Sequence, residues 1–128
     1  MDEHPNAVWA RKMLDAMNSG GPEATAAMIA DDIEWHEIGR AEPIIGREAL
    51  AARFGMGGGA APDYEITGEV HDVIASDDHT IALLSAHATR GGKTLDYRVA
   101  EIYHIRDGKL TKRWAFSDDT QAITDFFA

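Results

Sequence analysis

The last third of the chain alternates between apolar and polar residues in three runs between residues 80 and 119. Two tight-turn signals separate the runs, Arg90-Gly91-Gly92-Lys93 and Arg106-Asp107-Gly108-Lys109. Glycine next to glycine or aspartate adopts the positive φ that a short hairpin requires, so the pattern predicts an antiparallel meander of three strands. A further strand is predicted from residue 64 to about residue 76.

The first part of the chain shows helical spacing instead. Trp9, Met13 and Met17 recur every four residues, which predicts an amphipathic helix that begins at Pro5 and ends at Asn18-Ser19-Gly20-Gly21. Packing in the core is the plainer interpretation of these apolar side chains.

Two shorter helices are predicted downstream, over residues 22–30 and 47–54, and residues 33–38 between them alternate in the manner of a strand. The glycine-rich segment 55–62 lacks the context of a phosphate-binding loop, so we interpret it as a linker or as a mobile rim over a pocket. Helices followed by a run of strands are typical of an α+β domain, in which helices cover one face of a curved sheet.

Glu37 is the first of two carboxylates in unexpected positions. On the predicted strand it shares a face with Ile33 and Trp35, which we expect to point into the core. A buried carboxyl without a partner has a raised pKa, in the range that is useful for proton transfer. Alternatively, the strand frays at Glu37 and its side chain is solvated.

Glu101 lies in the middle strand of the meander. With Gly91-Gly92 at the turn, one face of the first hairpin pairs Ala88, Ala86, Leu84 and Ala82 with Leu95, Tyr97, Val99 and Glu101. The small alanines around an inward carboxylate indicate a cavity.

The second hairpin allows two registers. A two-residue turn at Asp107-Gly108 places Trp114 and Phe116 on the Glu101 face. A three-residue loop with Gly108 as a bulge places Arg113, Ala115 and Ser117 there instead.

Composition and charge narrow the classes of function. The length of 128 residues fits one domain over residues 1–128. The formal net charge of −10 opposes binding to nucleic acid or to an anionic membrane surface. It contains no cysteine, and its first residues lack the apolar segment of a signal peptide, so a cytoplasmic location is expected.

The histidines do not predict a metal site. His36, His71, His87 and His104 lie on predicted strands without HxH or HExxH spacing, although two or three of them converging in space is the alternative. His36 and His104 alternate away from the two glutamates and are expected on the outer face of the sheet.

Several short motifs follow one another along the chain: Asn18-Ser19-Gly20, Ala30-Asp31-Asp32-Ile33-Glu34, Glu42-Pro43 with Gly46, Asp107-Gly108-Lys109-Leu110, Trp114 and Asp118-Asp119. In this order and spacing the chain resembles the SnoaL-like and ketosteroid-isomerase-like branch of the nuclear transport factor 2-like superfamily, over nearly its whole length. The resemblance implies a cone-like α+β fold. Three helices from the N-terminal half pack on a strongly curved, mostly antiparallel sheet, which ends in a three-strand meander and a short terminal helix.

The resemblance also implies roles for individual residues. Glu37 corresponds to the carboxylate that carries a proton between substrate carbons, and Glu101 to a protonated acid that donates to the developing oxyanion. Met13 stands where the isomerases have a tyrosine donor, so Tyr97 or Tyr103 is the alternative source of a hydroxyl. Asp119 resembles the base of epoxide-hydrolase-type relatives, although capping of a terminal helix over residues 120–127 is the plainer interpretation.

We therefore predict a catalytic set of Glu37, Glu101 and Asp119, and no metal or other cofactor. The ligand contacts predicted with it are Trp9, Met13, Trp35, Phe54, Leu84, Tyr97, Tyr103, Arg113 and Ala115. The resemblance implies a homodimer formed through the outer sheet face.

Three functions stay open at this point. The first is an isomerase, cyclase or hydrolase that uses acid–base chemistry on a hydrophobic carbonyl compound. The second is a binding protein for a hydrophobic small molecule, without turnover. The third is a dimeric association module, and the fold alone does not decide among them.

Overall fold

The computed structural model describes residues 3–53 and 63–128, which form helices and one sheet. In chain order the elements are α1 (Pro5–Thr25), a 3₁₀ turn (Ala26–Met28), β1 (Ile29–Trp35), β2 (Ile44–Ile45), α2 (Arg47–Arg53), β3 (Tyr64–Ala75), β4 (Thr80–Arg90), β5 (Lys93–Arg106), β6 (Lys109–Ser117) and α3 (Thr120–Phe127).

The six strands of the described residues form one curved sheet in the order β2-β1-β6-β5-β4-β3. Neighbours from β3 to β6 pair antiparallel, β2 pairs antiparallel with β1, and β1 runs parallel to β6. This arrangement confirms the predicted fold class, an α+β cone in which helices cover a mostly antiparallel sheet.

The apolar face of α1 forms much of the core. Ala7, Ala10, Met13 and Leu14 are buried against the sheet, and only 1% of Met13 is exposed. The spacing of these residues therefore reflects core packing, as periodicity alone indicates. Trp9 has a second role, because its indole Nε1 donates to the carbonyl of Gly108 at 3.0 Å and ties α1 to the last hairpin.

The predicted end of the first helix is wrong, because α1 continues to Thr25. Asn18 docks the helix on β3: its Nδ2 donates to the carbonyl of Gly68 at 2.7 Å, and its Oδ1 accepts from the Gly68 N–H at 3.2 Å. A glycine inside a helix costs about 1 kcal/mol relative to alanine, which such tertiary contacts outweigh. Within residues 3–53, two α-helices and a 3₁₀ turn stand in place of the three helices predicted for the N-terminal half.

β1 also differs from its predicted bounds, since it spans Ile29–Trp35 and not residues 33–38. Asp31 and Asp32, which directly follow the helix predicted over residues 22–30, are exposed residues of β1, and the Asp31 carboxylate lies 2.6 Å from Nη2 of Arg47. β2, which the sequence did not predict, pairs with the end of β1. α2 ends at Arg53, and Phe54 and the predicted linker 55–62 lie outside the described residues.

The first hairpin has the predicted register. Gly91 and Gly92 occupy its turn with φ of 56° and 82°. On the inner face the pairs are Ala88 with Leu95, Ala86 with Tyr97, Leu84 with Val99, and Ala82 with Glu101.

The second hairpin combines features of both predicted alternatives. Its turn has two residues, because Arg106 lies opposite Lys109 across Asp107-Gly108. The register then shifts by one residue, so that Thr111 is an extra residue in β6. The Thr111 hydroxyl donates to the carbonyl of His104 at 3.1 Å and closes this β-bulge.

The bulge decides which side chains of β6 face inward. Beyond it, Ala115 lies opposite Glu101 and Arg113 opposite Tyr103. The hairpin thus has the two-residue turn of the first predicted alternative. Its inward side chains are Arg113 and Ala115, as in the second alternative with a bulge.

Candidate functional site

A cavity of about 870 Å³ lies between the inner face of the sheet, α1 and α3. Most of its wall is apolar, with contributions from Leu14, Met17, Leu84, Val99 and Ile123. Glu37 and Glu101 both line this cavity. A mostly apolar pocket of this size with a few polar groups is typical of a small-molecule site.

The Glu101 carboxylate, at the cavity wall, accepts hydrogen bonds from two side chains. Its Oε1 accepts from the Tyr103 hydroxyl at 2.9 Å and from Nε of Arg113 at 3.2 Å. Only 14% of the Glu101 side chain and 13% of the Arg113 side chain are exposed. Arg113 therefore gives the Glu101 carboxyl group a charged hydrogen-bond donor in a largely buried position, a partner that the resemblance does not imply.

Arg113 is fixed by further contacts. Its Nη1 donates to the backbone carbonyl of His36 at 2.9 Å, and its guanidinium carbon lies 4.2 Å from the ring centroid of Trp35. Arginine stacks well on aromatic faces, so the side chain has little freedom to turn.

Glu37 lies just beyond the end of β1 and is also paired. Nε of Arg53 lies 3.0 Å from its Oε1, and Nε of Arg40 lies 3.8 Å from the same oxygen. The Glu37 side chain is 18% exposed. The sequence predicted either a buried carboxyl without a partner or a solvated side chain at a frayed strand end. The strand does end before Glu37, but the carboxylate is mostly buried and paired with Arg53.

The ionisable groups around the glutamates respond to burial and to charge. Burial raises the pKa of Tyr97 and raises that of Tyr103 strongly, and in both cases the charge of Glu101 adds to the effect. Burial acts to lower the pKa of Arg53, but Glu37 and Tyr64 outweigh it and the pKa rises. Both phenols therefore remain donors, and Arg53 remains charged, at neutral pH.

The cavity wall includes some of the predicted residues. Those that line it are Trp35, Glu37, Leu84, Tyr97, Glu101 and Arg113. Trp9, Met13, Tyr103 and Ala115 belong to the layer behind or beside the wall, and Phe54 lies outside the described residues.

Asp119 has a structural position. Its carboxylate accepts from the backbone N–H of Ala122 at 3.0 Å and caps α3, which spans the predicted residues. It is exposed and does not line the cavity. The capping interpretation is therefore the one that the geometry supports.

Sequence reasoning missed several wall residues. Arg53 and Arg40 escaped notice because nothing in their local pattern links them to Glu37, which is 16 residues from Arg53. Ile123 and Phe127 could have been predicted, because the terminal helix is amphipathic and an apolar helix face packs against the interior of a domain.

The outer sheet face carries a group of rings. Trp114 stacks on His36 with centroids 5.3 Å apart and meets His104 edge-on at 5.1 Å. Across the described ranges, no group of three or more histidines and carboxylates is arranged to hold a metal ion. The helices in these ranges are too short or too polar to span a membrane.

The architecture is a curved sheet that helices cover around a mostly apolar cavity. Residues 10–113 match the SnoaL-like domain, and the chain belongs to this family. The family assignment confirms the resemblance that the motifs indicated.

The chain is also similar to solved structures and to curated relatives. Bal32a, from a soil-derived mobile gene cassette, is 28% identical with a TM-score of 0.80, and the match covers 96% of each chain. A putative SnoaL-like polyketide cyclase from Jannaschia sp. CCS1 shares the fold at 11% identity and a TM-score of 0.74, over 99% of this chain and 96% of the other. An uncharacterised Mycobacterium tuberculosis protein is 34% identical over 70 residues, 54% of this chain and 53% of the relative, so the match spans about half the length of each.

Proposed function

We propose that this protein is an acid–base enzyme of the isomerase or cyclase type, which moves a proton at a carbon next to a carbonyl group of an apolar small molecule. One observation carries the proposal: two partly buried carboxylates, Glu37 and Glu101, line a single, mostly apolar cavity. Carboxylates are costly to bury, and their concentration in a pocket is characteristic of functional sites.

Glu37 acts as the base in this proposal. Arg53 holds the Glu37 carboxylate in place by donating to its Oε1 at 3.0 Å, and the carboxylate takes a proton from the substrate carbon. In an isomerisation the same carboxyl returns the proton to a different carbon. In a cyclisation the enolate carbon attacks a second carbonyl of the same molecule, a carbon–carbon bond forms, and the carboxyl protonates the resulting alkoxide.

The negative charge that develops on the carbonyl oxygen needs a donor on the opposite wall. Tyr97 lines the cavity and makes no hydrogen bond within the described residues, and its raised pKa keeps the phenol protonated. We assign this role to Tyr97 in place of the helical tyrosine that Met13 replaces. The Tyr103 hydroxyl is already committed to Glu101.

The charge of the wall limits the class of substrate. The described lining residues include three glutamates, Glu37, Glu65 and Glu101, and three arginines, Arg40, Arg53 and Arg113. This wall is balanced although the chain as a whole has a formal charge of −10. A neutral, largely apolar carbonyl compound fits such a cavity best.

The test is a pH–rate profile on a panel of cyclic and open-chain enolisable ketones with wild type and Glu37→Gln. We expect kcat to fall by about 100-fold or more, because a positioned base contributes roughly 10²–10⁴-fold. The exposed Glu48 on α2 supplies the control variant, Glu48→Gln, which leaves the rate unchanged. Turnover that survives intact in Glu37→Gln overturns the proposal.

Ligand binding without turnover is a second candidate, favoured by the arginine that pairs with each carboxylate. Fixed ion pairs also suit the polar part of a passive binding wall. This function predicts saturable binding of an apolar fluorescent ligand, no reaction of any ketone, and affinity that tolerates Glu37→Gln. Calorimetry with the same panel of compounds separates the two candidates.

A further inference from the structure

Arg113 contacts both parts of the wall that carry the two glutamates. Its Nε donates to Oε1 of Glu101 at 3.2 Å, and its Nη1 donates to the carbonyl of His36 at 2.9 Å. His36 directly precedes Glu37 in the chain. Because a guanidinium is planar and its N–H directions are fixed, the two acceptors are placed relative to each other by one rigid group.

The segment that carries Glu37 lies beyond the strand and is joined to Arg113 by more than one contact. β1 ends at Trp35, so Glu37 lies outside the strand. The backbone N–H of His36 donates to the carbonyl of Arg113 at 2.8 Å, which makes both the main chain and the side chain of Arg113 partners of His36. The ring of Trp35 stacks on the Arg113 guanidinium and further restricts the position of that group.

We propose that Arg113 is a positioning residue that sets the location of the Glu37 segment relative to Glu101. Its catalytic consequence rests on the proposed function, whereas the positional claim does not. A misplacement of about 1 Å in a catalytic group costs roughly 100-fold in rate, so loss of this contact reduces turnover even though Arg113 itself transfers no proton.

Two effects of removing Arg113 must be separated. Arg113→Met leaves Glu101 partly buried without its counter-ion, which destabilises the fold by a route unrelated to Glu37. Glu101→Gln with Arg113→Met removes both charges together, and the glutamine oxygen still accepts from the Tyr103 hydroxyl. The comparison of the double variant with Glu101→Gln alone therefore measures the loss of the Arg113 side chain, with its contacts to His36 and Trp35, without leaving a carboxylate at position 101 unpaired.

Amide hydrogen exchange of His36 is the readout that needs no substrate. We expect this amide to exchange about 10-fold faster or more in the double variant than in Glu101→Gln, relative to the Leu84 amide in β4 as an internal reference. Arg47→Met is the matched control, because Arg47 also pairs with an aspartate and approaches a backbone carbonyl, that of Ile29 at 3.5 Å, but does not line the cavity. Equal exchange of His36 in the double variant and in Glu101→Gln overturns the proposal.

The kinetic readout uses the ketone that wild type converts. We expect kcat of the double variant to be about 10-fold or more below that of Glu101→Gln, with KM changed by less than about 3-fold, as loss of positioning requires. Equal kcat values contradict the catalytic consequence of the positioning. If Glu37→Gln retains full activity, the proposed function fails, and the exchange result alone then decides whether Arg113 positions the segment.

Discussion

The Tyr103 side chain is fully buried, and its hydroxyl is one of two donors to Glu101. A hydrogen bond to a charged group contributes about 1.5–3 kcal/mol, and Arg113 still satisfies the carboxylate when the hydroxyl is removed. We expect Tyr103→Phe to lower the free energy of unfolding by about 1–2 kcal/mol, measured by urea denaturation at an unchanged m-value.

Tyr97→Phe is the matched control for that measurement. The Tyr97 hydroxyl has no hydrogen-bond partner within the described residues, so its removal changes stability by less than about 0.5 kcal/mol. An equal loss in both variants contradicts the assignment of Tyr103 as the donor that supports Glu101.

His104 gives the protein a pH dependence that can be assigned to one residue. Burial lowers its pKa, His79 and Lys112 lower it further, and Asp78 opposes them. As the pH falls, His104 of the unfolded chain binds a proton at about pH 6.5, whereas His104 of the folded protein binds it only at a lower pH. The folded state therefore loses stability as the pH falls from this value towards the lower pKa of folded His104.

We expect His104→Gln to remove this loss. Urea denaturation gives the free energy of unfolding of each protein at about pH 7.5 and at about pH 5.5. Between these two pH values we expect a smaller decrease for the variant than for wild type. Parallel decreases in the two proteins contradict the assignment, because they place the proton uptake elsewhere.

Among the elements, the second hairpin is distinguished by the bulge at Thr111. Deletion of Thr111 joins Leu110 directly to Lys112, so that the pairs of Leu110 with Ile105 and of Lys112 with His104 follow one another without a bulge. Arg113 and Ala115 keep their partners on β5, and the inward face of β6 is retained. We expect the deletion variant to keep the cavity and the tryptophan fluorescence spectrum of wild type, with a lower urea midpoint because the local twist of the hairpin changes.

Thr111→Val separates register from hydrogen bonding. It retains the extra residue but removes the bond to the His104 carbonyl, which is worth about 1 kcal/mol. A changed tryptophan spectrum in the deletion variant, but not in Thr111→Val, contradicts the retained pairing of β5 with β6.

Asp119 allows a test of the hydrolase branch of the resemblance. Serine caps helices about as well as aspartate but does not act as a carboxylate base, whereas alanine loses about 1 kcal/mol of capping. We expect Asp119→Ser to retain both stability and ketone turnover, and Asp119→Ala to lose stability alone. Loss of turnover in the stable serine variant would assign Asp119 to the chemistry.

The two hairpins show how far sequence predicts an element. Gly91-Gly92 determines the first hairpin completely, because two residues with positive φ leave one register. Asp107-Gly108 determines the second turn equally well, but Thr111 is an ordinary strand residue and gives no local sign of a bulge. The residues alone therefore left the inward position of Arg113 as one of two alternatives.

The boundaries of α1 and β1 were missed for a different reason. Glycines and paired aspartates favour breaks in isolated segments, but contacts that are distant in sequence decide the outcome here. Asn18 reaches Gly68, and Arg47 neutralises Asp31 at an exposed strand position. The same limitation applies to the site, where Glu37 was predicted inside the cone but its partner Arg53 was not.

For the whole molecule, part of the outer face of the sheet carries exposed apolar side chains that no helix of the described residues covers. Leu83 and Phe116 flank Ala100 in one row of the sheet and are 39% and 57% exposed, and Ile74 in the next row is 56% exposed. Apolar residues grouped in this way favour association. We propose that two copies of the chain pair through this face, as the resemblance implies.

A charge on this face tests the pairing without touching the cavity. We expect wild type to sediment at about twice the 14.0 kDa of one chain, and Phe116→Lys to sediment as a monomer, because an unpaired charge at the centre of an apolar interface is strongly unfavourable. Ile45→Lys is the control, since Ile45 is 58% exposed but lies on β2 at the edge of the sheet. A monomeric wild type, or a Phe116→Lys variant that remains dimeric, contradicts this interface. Because Phe116 alternates with Ala115, which lies opposite Glu101 on the inner face, a monomeric variant that retains ketone turnover would also show that the site needs no second copy.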